Sequence, residues 1–370
     1  MPHWIDDPAD LSRRLANRPA RVGLDTEFVR ERTYWPQLAL VQIALGGGAD
    51  DILLVDPLVP GMPAALAPLL SDPAVLKLMH SAGEDLIALR HACGVVPAPL
   101  FDTQIAAGLA GVGAGLGYQR LVQDLLGVAL PKGETRSDWL RRPLSPAQLE
   151  YAADDVLHLF DLHDRLSAAI DLLGRAAWLE EDCARMVANA ERDEPEPWPH
   201  LALRAAAFLD TDAQRRLLRL LRWRDAYARE SDRPRTWILD NELATQLART
   251  PPADRTELQA RLDAHPKAPR KLAEPLWRAL DTPLPDEQDA PPVRQDERDR
   301  PALRRMQDVV GARSAELGLP DGVLASRRWL QALLDGEGWR GPLAGWRRGQ
   351  LEPLLKPLLR PAGDNQNASV

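Results

Sequence analysis

Two acidic side chains separated by one residue lie near the start of the chain, in the run LDTEF at residues 24–28. Apolar and polar residues alternate over Arg21–Phe28, which predicts a strand, and side chains two apart on a strand share a face. Asp25 and Glu27 are therefore expected side by side, about 7 Å apart along the backbone. Two adjacent carboxylates repel unless a cation lies between them. The pair is either part of a metal site or two solvated acids on an exposed strand edge.

A third acid, Asp85, lies in the run HSAGEDL at residues 80–86. A strand is expected to end at about Met79, and the small, polar turn after it opens a helix with Asp85 in its first turn. Acids in the first helical turn are favoured by the positive end of the helix dipole. Taken alone, Asp85 is more simply a structural residue than a catalytic one.

A tyrosine and an acid share one face of a later helix. Ser145, Pro146 and Gln148 are typical of a helix start, with an N-cap, a proline at the first position and a capping glutamine. Tyr151 and Asp155 are four residues apart, so their side chains lie about 5–6 Å apart on that helix. Asp154 falls outside this register. The alternative is a surface tyrosine beside a solvated acid.

The order of these motifs resembles the DEDDy exonucleases: D-x-E on an early strand, Asp after a later strand, and Y-x-x-x-D on a late helix. The sequence around these motifs most closely resembles the ribonuclease D family. The similar segments are LDTEFVRERTYWPQLALVQIA, HSAGEDLIALRHACG, FDTQIAAGLAG and SDWLRRPLSPAQLEYAADDVLHL. The similarity covers residues 5 to about 185. It implies an RNase H-like fold and a 3′→5′ exoribonuclease that releases 5′-mononucleotides.

The same resemblance implies a metal site of four carboxylates and a tyrosine that positions the attacking water. The ligands would be Asp25, Glu27, Asp85 and Asp155, and the tyrosine Tyr151. Phosphodiester cleavage needs an activated water and a stabilised leaving oxygen, which two divalent ions about 4 Å apart can supply. Magnesium prefers oxygen ligands and suits this donor set, with manganese as a substitute.

The elements that must position these motifs form an α/β layer in the N-terminal half. Predicted strands lie at Arg21–Phe28, Leu38–Leu45, Asp51–Val55, residues 74–79 and near Leu100. The first three have short connections, which suggests an antiparallel meander. We therefore predict an α/β RNase H-like exonuclease domain, a mixed sheet flanked by helices, followed by two small all-α helical bundles.

Charge is distributed unevenly along the 370 residues, whose net charge is −8. Residues 1–200 hold 17 Lys and Arg against 29 Asp and Glu, whereas residues 201–370 hold 29 against 25. An acidic site that binds a polyanion needs bridging cations, and basic modules can hold the rest of the polymer. We expect the first half to cleave RNA and the second half to bind it.

Composition also bears on location. No run of 18 uncharged apolar residues occurs, so no membrane span or membrane partner is expected. The acidic start lacks the pattern of a signal peptide. Cys93 and Cys183 are far apart, which fits a reducing compartment. These features predict a cytoplasmic enzyme, and no obligate protein partner is evident.

After residue 200 the sequence has helical period, with helices predicted at 213–229, 241–249 and 255–263. The run WRDAYARESDRPR and the residues after it resemble the HRDC domain, a small helical bundle, which implies an accessory role in nucleic-acid binding. That match is carried by Trp223, Arg224, Arg229, Pro234 and Asp240. Residues 301–360 resemble a diverged second HRDC domain only in order, helical period and length.

The predicted domain boundaries follow from these patterns and from two stretches rich in proline and acidic residues, which read as linkers. They are an exonuclease domain at 1–189, a linker at 190–209, an HRDC domain at 210–280, a linker at 281–300, a second HRDC-like domain at 301–361 and a disordered tail at 362–370.

Several residues are candidates for contacts to the substrate. Phe28 and His80 lie beside the motifs and could grip the terminal nucleotide, although core packing is the simpler role for Phe28. Arginines of the HRDC-like region could contact phosphates or only solvate helix faces. These are Arg222, Arg224, Arg229, Arg233 and Arg235.

Three functions fit the sequence. The favoured one is an RNA 3′→5′ exonuclease of the ribonuclease D type that acts on RNA with a free 3′ end, tRNA precursors in particular. The second is a DNA 3′→5′ exonuclease of the proofreading type. The third is an inactive RNA-binding protein on a nuclease fold, which the intact set of four acids and a tyrosine disfavours.

Overall fold

The computed structural model describes residues 1–17, 19–131, 133–134, 137–265, 268–293 and 300–359. Contacts between residues divide the chain into two compact units. Unit 1 comprises the described parts of Met1–Val29, Leu38–Arg192 and Arg298–Val370, and unit 2 those of Arg30–Gln37 and Asp193–Glu297. Two segments therefore differ from the domain boundaries predicted from the sequence. Residues 30–37, predicted in the exonuclease domain, group with unit 2, and the C-terminal helical region, predicted as a separate domain, groups with unit 1.

A six-stranded mixed sheet forms the centre of unit 1, in the order β1-β4-β3-β2-β5-β6. The strands are β1 His3–Ile5, β2 Arg21–Val29, β3 Gln37–Ala44, β4 Ile52–Val55, β5 Leu76–Met79 and β6 Leu100–Asp102. Strand β4 runs antiparallel to β3 and parallel to β1, while β5 runs parallel to both β2 and β6. The mixed sheet predicted from the sequence is confirmed.

Along the chain, helices lie between strands of the sheet and form the regular structure of the described residues after β6. They are α1 Pro8–Arg14, α2 Met62–Leu70, α3 Gly83–Cys93, α4 Thr103–Leu109, α5 Tyr118–Leu126, α6 Pro146–Leu157, α7 Leu159–Leu172, α8 Ala176–Glu191, α9 Thr211–Glu230, α10 Arg235–Ile238, α11 Asn241–Arg249, α12 Arg255–Ala264, α13 Ala273–Asp281, α14 Arg300–Leu317, α15 Arg327–Leu334 and α16 Gly345–Leu355. Short 3-10 helices lie at Ala49–Asp51, Pro199–Ala202, Arg204–Phe208, Arg270–Leu272, Gly341–Leu343 and Lys356–Leu358. No helix of the described residues is long and apolar enough to cross a membrane.

The core of unit 1 extends from the sheet into the C-terminal helices. Buried residues of α14, α15 and α16, among them Met306, Leu330 and Leu351, belong to the same apolar cluster as the strands. A buried ion pair joins Asp182 of α8 to Arg347 of α16, with Arg347 Nη1 2.6 Å from Asp182 Oδ1. Residues 300–359 are thus built into the unit that contains the sheet.

Unit 2 has an apolar core of its own. Leucines and alanines of α9, α11, α12 and α13 form it, including Leu217, Leu243 and Leu276. Residues 282–293, predicted as a linker, are held to α9 by charge: Glu287 binds Arg219 and Asp286 binds Arg222. The acidic residues of this segment add nothing to the apolar core, but their ion pairs bind the segment to α9. The predicted tail at 362–370 lies outside the described residues.

Candidate active site

Strand β2 presents two of the candidate acids. Asp25 and Glu27 are partly buried, whereas Leu24 and Thr26 are buried. This alternation is that of a strand with two faces, and it agrees with the shared face predicted for the two acids. Because β2 lies between β3 and β5, these acids are in the interior of the sheet rather than at its edge.

Helix α3 carries Asp85 in its first turn, as the sequence predicted. The Asp85 side chain is buried and accepts a hydrogen bond from the hydroxyl of Thr26. Thr26 thereby ties strand β2 to the start of α3. Sequence reasoning missed this residue, although its place between Asp25 and Glu27 could have drawn attention to it.

Helix α6 begins where its local sequence predicts. Ser145 accepts a hydrogen bond from the backbone N–H of Gln148, and the Gln148 side chain accepts one from the backbone N–H of Ser145. This capping box fixes the helical register. In that register Tyr151 and Asp155 lie close enough for each side chain to shift the pKa of the other.

The four acids influence one another's ionisation. Burial, followed by the charges of the other three acids, raises the pKa of Asp25 well above its ordinary value. Burial and then the charges of Asp155 and Asp85 raise the pKa of Glu27 to about 8. Burial likewise raises the pKa of Asp85 and of Asp155 to about 7. The four carboxylates are therefore near enough for their charges to act on one another, in a poorly solvated part of unit 1.

This set of side chains has the donor chemistry of a site for divalent cations. Its members offer only carboxylate oxygens, which Mg²⁺ and Mn²⁺ accept as ligands. A cation would offset both causes of the raised pKa values, burial and like charge. Within the described residues, no three His, Cys, Asp or Glu side chains already converge as a group that could hold a metal ion.

The ring of Tyr151 is confined by nearby residues that the sequence did not single out. A Cβ added to Gly133 would lie 2.5 Å from Cδ2 and 2.7 Å from Cζ of Tyr151, so the backbone packs directly against the ring. The centroid of the buried Trp139 ring lies 6.1 Å from that of Tyr151. These contacts limit where the phenol hydroxyl can point.

A second tyrosine, Tyr118, lies near the acids. Burial is the main cause that raises the pKa of its phenol, and the charges of Asp155 and Asp25 add to it. The Tyr118 hydroxyl accepts a hydrogen bond from the backbone N–H of His158 at 3.1 Å. Because His158 separates α6 from α7, this bond anchors the helix that carries Asp155.

Phe28 and His80, the two side chains predicted to contact the terminal nucleotide, have different surroundings. Phe28 is partly buried and packs against the core of unit 1. His80 Nδ1 lies 2.9 Å from the Thr103 hydroxyl, and the His80 ring meets Tyr118 edge-on at 5.6 Å. Among the described residues, the Nε2 atom of His80 is buried without a hydrogen-bond partner.

The chain matches known nucleases in sequence and in structure. A family model described as 3′-5′ exonuclease matches residues 2–171. A ribonuclease D of Xanthomonas oryzae pv. oryzae is 60% identical over 361 residues, which cover 97% of this chain and 99% of that protein. The chain belongs to the ribonuclease D family. It is accordingly an enzyme, a 3′→5′ exoribonuclease.

Further members of the ribonuclease D family resemble the chain along its length. A ribonuclease D of Pseudomonas paraeruginosa is 36% identical and covers 97% of this chain and 98% of its own. The crystal structure of Escherichia coli RNase D, described as an exoribonuclease involved in structured RNA processing, matches with a TM-score of 0.80 and 29% identity. The match covers 97% of this chain and 98% of that one. The catalytic core of RRP6 from Trypanosoma brucei, at 21% identity and a TM-score of 0.59 over 76% of this chain and 79% of its own, shares the fold.

Four of the five arginines predicted to contact RNA, namely Arg222, Arg224, Arg229 and Arg235, have side-chain partners inside unit 2. Arg224 is buried and donates to the Leu239 carbonyl and to Asn241 Oδ1 at 3.0 and 2.7 Å. A buried guanidinium with these bonds cannot reach a phosphate, so the expectation for Arg224 is corrected.

Two other predicted arginines are also engaged within unit 2. Arg222 binds Asp286, with 2.7 Å between Nη1 and Oδ1, and its guanidinium lies 4.9 Å from the centre of the Trp198 ring. Arg229 forms an ion pair of 2.7 Å with Asp193. Their proposed contact with RNA stays a prediction.

Proposed function

We propose that this ribonuclease D family member removes nucleotides one at a time from the 3′ end of RNA by a reaction that depends on two divalent cations. The observation that supports this is a set of four carboxylates, three partly buried and Asp85 buried, whose pKa values are raised by burial and like charge. Magnesium suits these ligands best, and manganese is the alternative. When bound, the cations would polarise the attacking water and offset charge on the leaving 3′-oxygen.

The proposed ligands come from three separate elements. Asp25 and Glu27 come from β2, Asp85 from α3 and Asp155 from α6. Asp155 is favoured over its neighbour Asp154 because the charge of Asp155 acts on both acids of β2. The largest causes of the raised pKa of Asp154 are burial and the charge of Glu150, an acid on its own helix.

Tyr151 is proposed to position the attacking water. Burial and the charges of Asp155 and Glu27 raise the pKa of its phenol, so the phenol stays protonated at neutral pH. A protonated phenol donates one hydrogen bond and can accept another. It therefore serves as an orienting group, while its own proton stays in place.

We propose precursors of tRNA with extra 3′ nucleotides as the substrates, and hydrolysis to 5′-mononucleotides as the reaction. Full-length similarity to ribonucleases D, one of them described as acting in structured RNA processing, supports an RNA substrate. We place the reaction in the cytoplasm, where such precursors are made and where free thiols such as Cys93 and Cys183 stay reduced.

Strands labelled at the 5′ end test the proposal. RNA and DNA of one sequence are incubated with magnesium, with manganese or with a chelator, and the products are separated by length. We expect RNA to shorten from its 3′ end in single-nucleotide steps only when a divalent cation is present. Undiminished cleavage in the chelator contradicts the metal proposal, and faster degradation of DNA contradicts the substrate proposal.

A further inference from the structure

The segment between β2 and β3 contains a deeply buried tyrosine. Arg30–Gln37 groups with unit 2, although the strands that it connects belong to unit 1. Tyr34 is only 5% exposed and packs with Ala228 of α9 and Ile238 of α10. The ring is thus inserted between two helices of unit 2.

Two carboxylates bind this segment through specific hydrogen bonds. Asp232 Oδ1 accepts from the backbone N–H groups of Tyr34 and Trp35, each at 3.0 Å. Asp225 Oδ1 accepts from the Tyr34 hydroxyl at 3.1 Å. Asp232 has a φ of 48°, a left-handed conformation that aspartate tolerates better than most residues do. That conformation places its side chain where it binds both amides.

Two arginines complete the binding site for the segment. Arg235 Nη2 donates to the Tyr34 hydroxyl at 2.7 Å, and its guanidinium lies 4.8 Å from the centre of the Tyr34 ring. The guanidinium of Arg229 lies 4.8 Å from the centre of the Trp35 ring. The four residues Asp225, Arg229, Asp232 and Arg235 are called the Tyr34 socket below.

Charge in the Tyr34 socket is balanced. Arg235 pairs with Asp225, and Arg229 pairs with Asp193. The arginines of this region therefore have acidic and aromatic partners, and a phosphate would have to compete with both. These residues lie in the run that resembles the HRDC pattern, so part of that pattern here serves to bind a segment of the same chain.

We propose that the residues of the Tyr34 socket are positioning residues for the reaction, because they hold the chain directly after the strand that carries Asp25 and Glu27. Only Phe28 and Val29 separate Glu27 from the held segment. Release of the segment frees the end of β2 to move and so loosens the placement of its acids. The effect on activity rests on the proposed function, whereas the binding of the segment does not.

Replacement of Asp232 tests the proposal in the full-length protein. Asp232→Ala removes the acceptor of two backbone amides, and hydrogen bonds to a charged group stabilise more than those between neutral groups. We expect hydrogen exchange in residues 30–37 to accelerate by about 10-fold or more, which corresponds to about 1.4 kcal/mol. Asp232→Asn, which keeps an acceptor oxygen, should restore part of the protection. Asp212→Ala, at the exposed start of α9, is the matched control and should leave exchange in this segment unchanged.

Activity is the second measurement. On an RNA of two or three nucleotides with magnesium, Asp232→Ala should lower kcat by about 10-fold and change KM by less than about 2-fold. Asp232→Asn should recover part of kcat. A double-mutant cycle of Tyr34→Phe and Asp225→Asn should give effects that are not additive, because the two side chains bind each other.

Three results would overturn the inference. Unchanged exchange in residues 30–37 means that Asp232 does not hold the segment. Faster exchange with unchanged kcat means that holding it does not position the acids. Weaker binding of long RNA with unchanged exchange means that the socket residues contact RNA instead. Failure of the proposed function is separate, since an active Asp155→Asn variant would contradict it and leave the exchange result valid.

Discussion

The two helical regions after residue 200 look alike in sequence and differ in structure. In unit 2, helices α9, α11, α12 and α13 form a core with one another. By contrast, α14, α15 and α16 add their leucines to the core of the sheet. Helical period shows which residues of a helix are apolar, but it does not show what covers them. The sequence suggests the same kind of domain for both regions, but only the second one shares a core with the strand that carries Asp25 and Glu27.

Because α14, α15 and α16 belong to the core of the sheet, a truncation at residue 200 cannot separate RNA binding from cleavage. The sequence suggests that everything after residue 200 binds RNA while the first half cleaves it. Removal of residues 201–370 would, however, also remove Met306, Leu330 and Leu351 from the core that contains β2. A truncation at residue 200 thus confuses loss of RNA contacts with damage to the catalytic unit, and single substitutions separate the two better.

The largest effect is expected from matched core substitutions in the two helical regions. Leu351 of α16 and Leu220 of α9 are both fully buried. Replacement of either by alanine should lower the free energy of unfolding by about 2–5 kcal/mol. Leu351→Ala should also speed hydrogen exchange in β2 and β5, whereas Leu220→Ala should speed it in α11 and α13. Equal exchange changes in β2 for both variants would contradict the division into units.

A smaller effect on the free energy of unfolding is expected from replacement of Asp155 in metal-free protein. The pKa of Asp155 is raised from 3.8 to about 7 in the folded state, so its contribution to stability is present below pH 3.8 and is lost as pH rises through about 7. Asp155→Asn, which does not titrate, should therefore be more stable than the wild type at pH 8 by about 1–3 kcal/mol. The difference in melting temperature should shrink at pH 5.

Magnesium provides the control for this comparison. It should stabilise the wild type more than Asp155→Asn, because only the wild type keeps all four acids. A metal-free Asp155→Asn variant that is less stable than the wild type at pH 8 would mean that burial and like charge do not raise the pKa of Asp155.

The smallest effect is expected at buried arginines of unit 2. Arg224→Gln should leave the salt dependence of RNA binding unchanged, because Arg224 is buried and bonded internally. Arg233 is exposed, and Arg233→Gln is the matched comparison. If Arg233 contacts a phosphate, its loss should reduce the slope of log affinity against log salt by about 0.7–0.9. A reduced slope for Arg224→Gln at a temperature where the variant is folded would contradict this assignment.

Local signals in the sequence account for what could be predicted. The start of α6 follows from a capping box within four residues, and the register of Tyr151 and Asp155 follows from it. Helices α9, α11 and α12 contain the residues predicted for them. Strand β1 was missed because three residues, His3–Ile5, are too few to show a period and the strand depends on pairing with β4.

Long-range contacts account for what could not be predicted. Thr26 binds Asp85, 59 residues away, and Tyr34 is buried by residues about 200 positions later. Neither contact has a local pattern. The same holds for Asp182 and Arg347, whose pairing joins α8 to α16. A resemblance to a family can indicate the acids of a site, whereas the residues that hold them in place become visible only in the fold.

Single-turnover cleavage of a short RNA by Asp155→Asn and Asp154→Asn, with magnesium, tests the central claim most directly. Asp155 is proposed as a cation ligand and its neighbour is not, so the two isosteric changes differ only in position. The account predicts that Asp155→Asn cleaves at least about 10²-fold more slowly than the wild type. It should still bind RNA in calcium, and Asp154→Asn should stay within about 3-fold of the wild type, a difference below about 0.7 kcal/mol. Wild-type cleavage by Asp155→Asn, or loss of cleavage only in Asp154→Asn, would contradict it.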